Sequence, residues 1–345
     1  MLDDPTLPRF PTGPSRTEAS RTNGRPPGVH GHFVSSAELE EVFANIPKWR
    51  IEHQVLSGSS GENYSEMIMV GSVAVTSELL TGRVRTSAET PRKHIAIGLE
   101  MAGVSGRQFG GRPLSSDEAL IGSDGAELDY LHPAGFLGLS MTMPMAALEQ
   151  DLANRFGLDS AASHYRAIRA SKVDRTAAAE SWRFFERLMD MLHASRASVG
   201  QMPGSAFLEI EIVDVMASVI GNHLQTDDTG RFYLWSQRRP VVRRAEEFMR
   251  AHLSEPIALH EICAAARASE RTVEYGFREM YGMGAKKFLQ VLRLNHARRL
   301  FRFGGNAVSV QDGAAAAGFW HMGHFSANYR RLFGETPSET IRRSR

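Results

Sequence analysis

Apolar residues recur at every second position through much of the stretch from about Phe33 to Pro144. HIAIGLEM sets Ile95, Ile97, Leu99 and Met101 on one face, and Ala96, Gly98 and Glu100 on the other. FLGLSMTM sets Leu137, Leu139, Met141 and Met143 against Gly138, Ser140 and Thr142. SVAVTSELL and GRVRTS read as further strands. Short strands joined by Gly, Ser and Pro turns predict a sandwich or small barrel.

After Pro144 the period changes to that of a helix. MAALEQDLANRF spaces Ala147, Leu148, Leu152 and Phe156 along one stripe. AAESWRFFERLMDMLHA does so with Trp182, Phe185, Leu188, Met189 and Leu192. A third helix opens near Pro203 and carries Phe207, Ile210, Val213, Met216 and Ile220. Long amphipathic helices in succession predict a helical hairpin, whose apolar faces serve either as core or as a subunit interface. QTDDTGRFYLWSQ reads as a linker over about 226–238, and residues 1–28, rich in Pro, Gly, Ser, Thr and Arg, as a disordered leader.

Two helix-turn-helix patterns occupy the last third. The first, at about 259–281, contains ALHEICAAA, a turn at ARAS, and ERTVEYGFREMY, with Ser269 placed to cap the second helix. Leu259, Ile262, Cys263 and Ala266 form the inward stripe of the first helix. Val273, Phe277 and Met280 anchor the second, and Gly282 suits a left-handed stop. AKKFLQVLRLNHARRLF then leads to the second pattern at about 309–333, in which His321 stands at the cap position and Phe325, Tyr329 and Phe333 face the core. Trp320 is read here as a packing residue. A helix of this kind fits the major groove of B-DNA.

Charge sharpens the picture. The chain has 345 residues and a formal net charge of +1. From Arg238 onward there are 19 Lys+Arg against 10 Asp+Glu, leaving 21 against 29 before it. A basic C-terminal third facing a polyanion fits this asymmetry. At this length two domains are expected, at 29–225 (strands to about 144, helices after) and at 239–345. No apolar run has the length of a membrane-spanning helix and no secretion signal is evident, so a cytoplasmic location without membrane contact is the expectation. The single cysteine, Cys263, excludes an intrachain disulfide and, on an inward stripe, reads as inert core. His30 and His32 have a metal-pair spacing without matching ligands later, so neither a metal nor a cofactor is expected. There is no phosphate-binding glycine loop and no nucleophile elbow.

SERTVEYGFREMYG, FLQVLRLNHARRLF and AAAAGFWHMGHFSANYRRLFGETPSETI together resemble the AraC/XylS family of transcription regulators. The last of these is close in wording to regulators of ethanolamine utilisation and of aromatic-acid degradation. The resemblance implies an α+β chain: a β-rich, cupin-like effector domain with a helical hairpin, then an all-α double helix-turn-helix domain. It also implies a homodimer that binds promoter DNA, responds to a small molecule and acts on RNA polymerase. The two subgroups point to different effectors, an amino alcohol, with or without a cobalamin, or a benzoate-like acid. Three departures stand out. Gly313 replaces a bulky aliphatic residue, Ala327 a long polar one, and Gly284-Ala285 the usual Ser-Pro.

Within these motifs Arg271, Glu274 and Tyr275 suit base readout from the first reading helix, and Met322, Gly323 and Ala327 from the second. Arg271 matches the O6/N7 edge of guanine, and Glu274 the N4 donor of cytosine. Arg278, Lys286, Lys287, Arg330 and Arg331 suit phosphates. Ile97, Leu99, Met101, Leu139 and Met141 are the candidates for an effector pocket. The reading is a non-enzymatic, ligand-responsive transcription factor, an activator of a neighbouring catabolic operon. Its rivals are a metal-dependent cupin-like enzyme carrying a DNA-binding module, and an architectural DNA-binding protein without an effector.

Overall fold

The computed structural model describes residues 29–30, 49–58, 63–100, 106–115, 118–156, 169–172, 175–194, 205–225, 238–304 and 308–344. The leader, the 226–237 linker, His32 and Met101 lie outside them.

The strands are β1 (Val29–His30), β2 (Arg50–Val55), β3 (Tyr64–Val70), β4 (Val73–Leu80), β5 (Val84–Glu89), β6 (His94–Glu100), β7 (Gln108–Phe109), β8 (Arg112–Pro113), β9 (Glu118–Ser123), β10 (Glu127–His132), β11 (Phe136–Pro144) and β12 (Arg169–Lys172). They form a seven-stranded sheet in the order β1-β3-β4-β11-β6-β9-β12, and a five-stranded sheet in the order β2-β5-β10-β7-β8. All pairs are antiparallel. The register places Gly138 of β11 between Glu78 of β4 and Glu100 of β6.

Helices α1 (Met145–Phe156), α2 (Arg175–Ala194) and α3 (Ser205–Gln225) follow the strands. They cover the outer face of the larger sheet. Ile95, Ile97, Leu99, Leu137, Leu139, Met141 and Met143 form one buried cluster with Leu148 and Leu152 of α1, Trp182 and Phe185 of α2, and Met216 of α3. Burying each such side chain contributes about 1.5–3 kcal/mol. The alternate positions face the smaller sheet. At one end of that space Leu80, Val84, Phe109, Tyr130 and Phe136 close a second core. Elsewhere the inward residues are small, among them Ala88, Ala96, Gly98, Gly122, Gly138 and Ser140, and a cavity of about 120 Å³ remains. One water needs only about 10–15 Å³ of such space, so the cavity has room for several.

This arrangement divides the residues expected at an effector pocket between the cavity and the packing beneath the helices. Ile97, Leu99, Leu139 and Met141 pack beneath the helices, although Ile97, Leu99 and Leu139 also border the cavity. Alternation says which residues share a face. It does not say which face meets the helices and which the opposite sheet.

The last third holds α4 (Arg239–Ala251), α5 (Leu259–Ala266), α6 (Glu270–Tyr281), α7 (Ala285–Phe303), α8 (Val310–Ala316), α9 (Met322–Phe333) and α10 (Pro337–Arg343). The long helix α7 buries Phe288, Leu289, Val291, Leu292, Leu294, Asn295, Ala297 and Phe301, residues spread around most of its circumference. Such a helix is enclosed by neighbours. Both helix-turn-helix units pack on it, and so does the N-terminal half.

Candidate nucleic-acid interface

In the first unit the turn is made by Arg267, whose φ of 51° ends α5 in the left-handed region. Ser269 Oγ then accepts from Thr272 N–H and starts α6. Gly282, at φ 70°, ends it with its N–H bonded to Arg278 O. Val273, Phe277, Met280 and Tyr281 are buried. Gly276 is required by contact: a Cβ there would lie 2.6 Å from Val242 Cγ2 of α4.

The outward face of α6 carries Arg271, Tyr275 and Arg278. Tyr275 is 49% exposed. The guanidinium of Arg271 lies 5.5 Å from its ring centre, and that of Arg238 5.9 Å. Glu274 departs from its expected role. Its Oε1 accepts from the Ala285 N–H at 3.2 Å and its Oε2 pairs with Arg278 at 3.1 Å. It therefore satisfies a free amide at the start of α7, where Gly284 supplies no side-chain cap.

In the second unit Ser309 Oγ accepts from Asp312 N–H to start α8. Gly313 has no room for a side chain, because a Cβ would lie 2.2 Å from the Phe301 ring. The aromatic ring on α7 fills the space that an aliphatic residue on α8 would take. His321 stands at the N-cap of α9, the position expected of it, but makes no side-chain cap bond. Met322 is half-buried against the core, whereas Gly323 and Ala327 are exposed. Nothing lies within 4 Å of a Cβ placed on Gly323. Trp320 is 69% exposed, and the packing expected of it is performed by Phe319, 4.9 Å from Phe325. His324 is exposed next to Gly323 and was not foreseen; its only sequence signal was its place in the first turn of a reading helix.

Lys286, Lys287, Arg330 and Arg331 are all exposed. Lys287 Nζ donates to Gln290 and Arg331 to Asn328, so both are held along their own helices. Buried Glu335 fixes the end of α9. It pairs with Arg298 of α7 at 3.2 Å and Arg343 of α10 at 2.9 Å, and accepts from Thr340 Oγ1 at 2.7 Å. Cys263 is half-buried, and burial followed by Glu270 and Glu274 raises its thiol, so it stays protonated and unactivated.

The N-terminal half docks behind these surfaces. Arg85 of β5 gives Nε to Asp129 of β10 at 2.8 Å and Nη1 to Glu246 of α4 at 2.6 Å, with its guanidinium 4.7 Å from the Tyr281 ring centre. Glu52 of β2 receives Arg250 at 3.0 Å and Arg299 at 2.7 Å. Burial favours a higher value for the Glu52 carboxyl, but the two arginines outweigh it and hold it below the usual range. Strand β2 is an edge. Asn295 of α7 covers that edge by accepting from Val55 N–H and donating to Val55 O, both at 3.0 Å.

Two helix-turn-helix units on one connecting helix, each with an exposed second helix, define a DNA-binding protein. Residues 262–343 match a helix-turn-helix domain family. The chain is 30% identical over 103 residues to the probable thc operon regulatory protein of Rhodococcus erythropolis, covering 30% of this chain and 31% of that one. It is 33% identical over 111 residues to a XylDLEGF operon transcriptional activator of Pseudomonas putida, covering 32% and 34%. A solved probable AraC family transcriptional regulator from Rhodopseudomonas palustris is 35% identical, covering 30% of this chain and 97% of that chain, with a TM-score of 0.29. Over this last third the chain carries a helix-turn-helix domain and is similar to transcriptional regulators of the AraC type. It spans about a third of the length of the curated relatives it matches.

Proposed function

We propose that this protein is a ligand-responsive, sequence-specific transcription activator of a catabolic operon, whose β-rich half senses a small molecule and whose last third reads the promoter. The carrying observation is the position of the smaller sheet. It forms a wall one sheet thick between the cavity and the DNA-binding half. On β5, Thr86 faces the cavity and the adjacent Arg85 faces Glu246. On β10, Tyr130 and His132 face the cavity, while Asp129 meets Arg85 and Leu131 joins the core of the DNA-binding half. A ligand that shifts these strands therefore shifts the contacts of α4 and α6, which is the differential interaction that coupling requires.

On DNA, Arg271 and Tyr275 read bases. Arg278, Lys286, Lys287, Arg330 and Arg331 hold phosphates. The operon named for the Pseudomonas putida relatives supports the role of activator, which implies contact with RNA polymerase. The test is a titration of the full chain against its own upstream DNA and against random DNA across a salt series. The expected result is tighter binding to the upstream site, with affinity falling steeply as salt rises. Equal affinity for both DNAs at physiological salt favours the architectural reading and overturns this one.

A further inference from the structure

The cavity between the sheets contains a carboxyl that the rest of the fold leaves unused. Glu78 of β4 is 8% exposed and borders the cavity. It makes no hydrogen bond or ion pair with any described residue. The surrounding charges are already committed. Arg107 directs Nε to Glu100, Nη1 to Glu118 O at 3.2 Å and Nη2 to Ser115 O. His53 and His132 are kept neutral by burial and flank Thr86 Oγ1 at 3.0 and 2.8 Å. An organic carboxylate entering here meets the Glu78 carboxyl, and the one cation among the described lining residues, Arg107, is already engaged by Glu100, Glu118 O and Ser115 O.

The same region is aromatic. Gly138 pairs directly with Glu78, and the Phe136 ring lies over it, since a Cβ on Gly138 would sit 2.2 Å from Phe136 Cζ. The ring centre of Phe136 is 6.0 Å from that of Tyr130 and 4.5 Å from that of His132. A carboxyl beside aromatic rings in an apolar cavity is the chemistry that recognises an organic ammonium. We propose that the effector is a compact organic cation, whose ammonium pairs with Glu78 and lies against Phe136 and Tyr130. This rests on the reading of the cavity as the sensor site and names the class of ligand it takes.

A linkage follows. Burial pushes the Glu78 carboxyl up to about 8, so near neutrality it holds a proton. The bound ammonium displaces that proton to solvent and leaves a carboxylate–ammonium pair. Glu100 on β6, raised by burial against the pull of Arg107 to about 7, ionises over the same range and acts in the same direction. Tyr130 is raised out of the range by burial, and His53 and His132 stay neutral. Affinity for a cation therefore rises with pH up to about 8 and then levels.

The test uses the full chain and three probes of one shape: benzylammonium, benzyl alcohol and benzoate. Binding is read by calorimetry and by the change in DNA affinity. We expect benzylammonium to bind about tenfold or more tighter than the alcohol, with benzoate weakest. Its affinity should rise between about pH 6 and pH 8, with about one proton released per ligand. Glu78→Gln should remove the preference for the cation while leaving the alcohol unaffected. The wild-type probe series and pH profile stand even if that variant fails to fold. Benzoate or the alcohol binding as well as benzylammonium, with a change in DNA affinity, overturns the cation and leaves the sensor reading intact. Failure of all three probes to bind overturns both.

Discussion

Glu274 and Arg271 sit three residues apart on α6, yet the fold commits only one of them. Arg271 is exposed and rests on Tyr275, free to reach a base edge. Glu274 is tied to the Ala285 amide and to Arg278. The two substitutions should therefore separate. Arg271→Ala should cost ~1–3 kcal/mol on the cognate site and flatten discrimination at one base pair. Glu274→Ala should cost ~0.5–2 kcal/mol of stability, as loss of a helix cap does, and leave base preferences in place. Melting curves and a base-substitution scan of the site measure both. A changed base preference in Glu274→Ala with unchanged melting would return Glu274 to the readers.

At the scale of elements, α7 sets the distance between the two reading helices. Its 19 residues at ~1.5 Å each make a rod of roughly 28 Å. With the width of the helices this suits successive major grooves on one face of DNA, about one turn apart. The helices presented at its ends differ in chemistry. The first offers Arg271, Tyr275 and Arg278, and the second Gly323, His324 and Ala327, so the half-site facing α6 should hold most of the sequence information. Gly313 is the close contact that lets α8 lie on α7. Gly313→Leu restores the bulk the family resemblance implies, but collides with Phe301. It should destabilise the domain by ~1–3 kcal/mol, as overpacking does, and Phe301→Ala should recover part of that loss. Additive losses in the double variant, read by denaturant unfolding, would show that the two side chains do not compete.

For the whole molecule, the decisive feature is the charged seam between the halves. Arg85 and Glu246 each have side chains 8% exposed. Glu246→Ala removes one of the two carboxylates on Arg85 and leaves Asp129 in place, so it should cost about 1.5–3 kcal/mol. The seam also has a sign with pH. The Glu52 carboxyl is lowered from 4.5 in the folded state, so its contribution is complete above that value and is lost as pH falls through the lowered one. Acid should therefore loosen the docking. Melting from neutral pH down through about 4 should show a larger loss for the wild type than for Glu52→Gln, which has nothing to protonate. Equal losses would remove Glu52 from the seam.

The sequence by itself determined what local chemistry dictates. The stop at Gly282 and the start at Ser269 were legible because a left-handed stop and a hydroxyl cap need few neighbours. The buried anchors Val273, Phe277, Phe325 and Tyr329 followed from helical spacing, and the strand faces of β6 and β11 from alternation. What only the tertiary structure decided is how those faces were used. The apolar face of β6 and β11 meets α1, α2 and α3, so the small residues opposite open the cavity. Glu274 turns to an amide 11 residues away, and Trp320 stays at the surface because Phe319 takes the interior position. Glu52 and Arg299 meet across 247 residues of chain, as do Val55 and Asn295 across 240. Periods of two and of 3.6 describe neighbours within one element. Which element lies against which is set by packing between them, and on that depend both the cavity and its link to the reading helices.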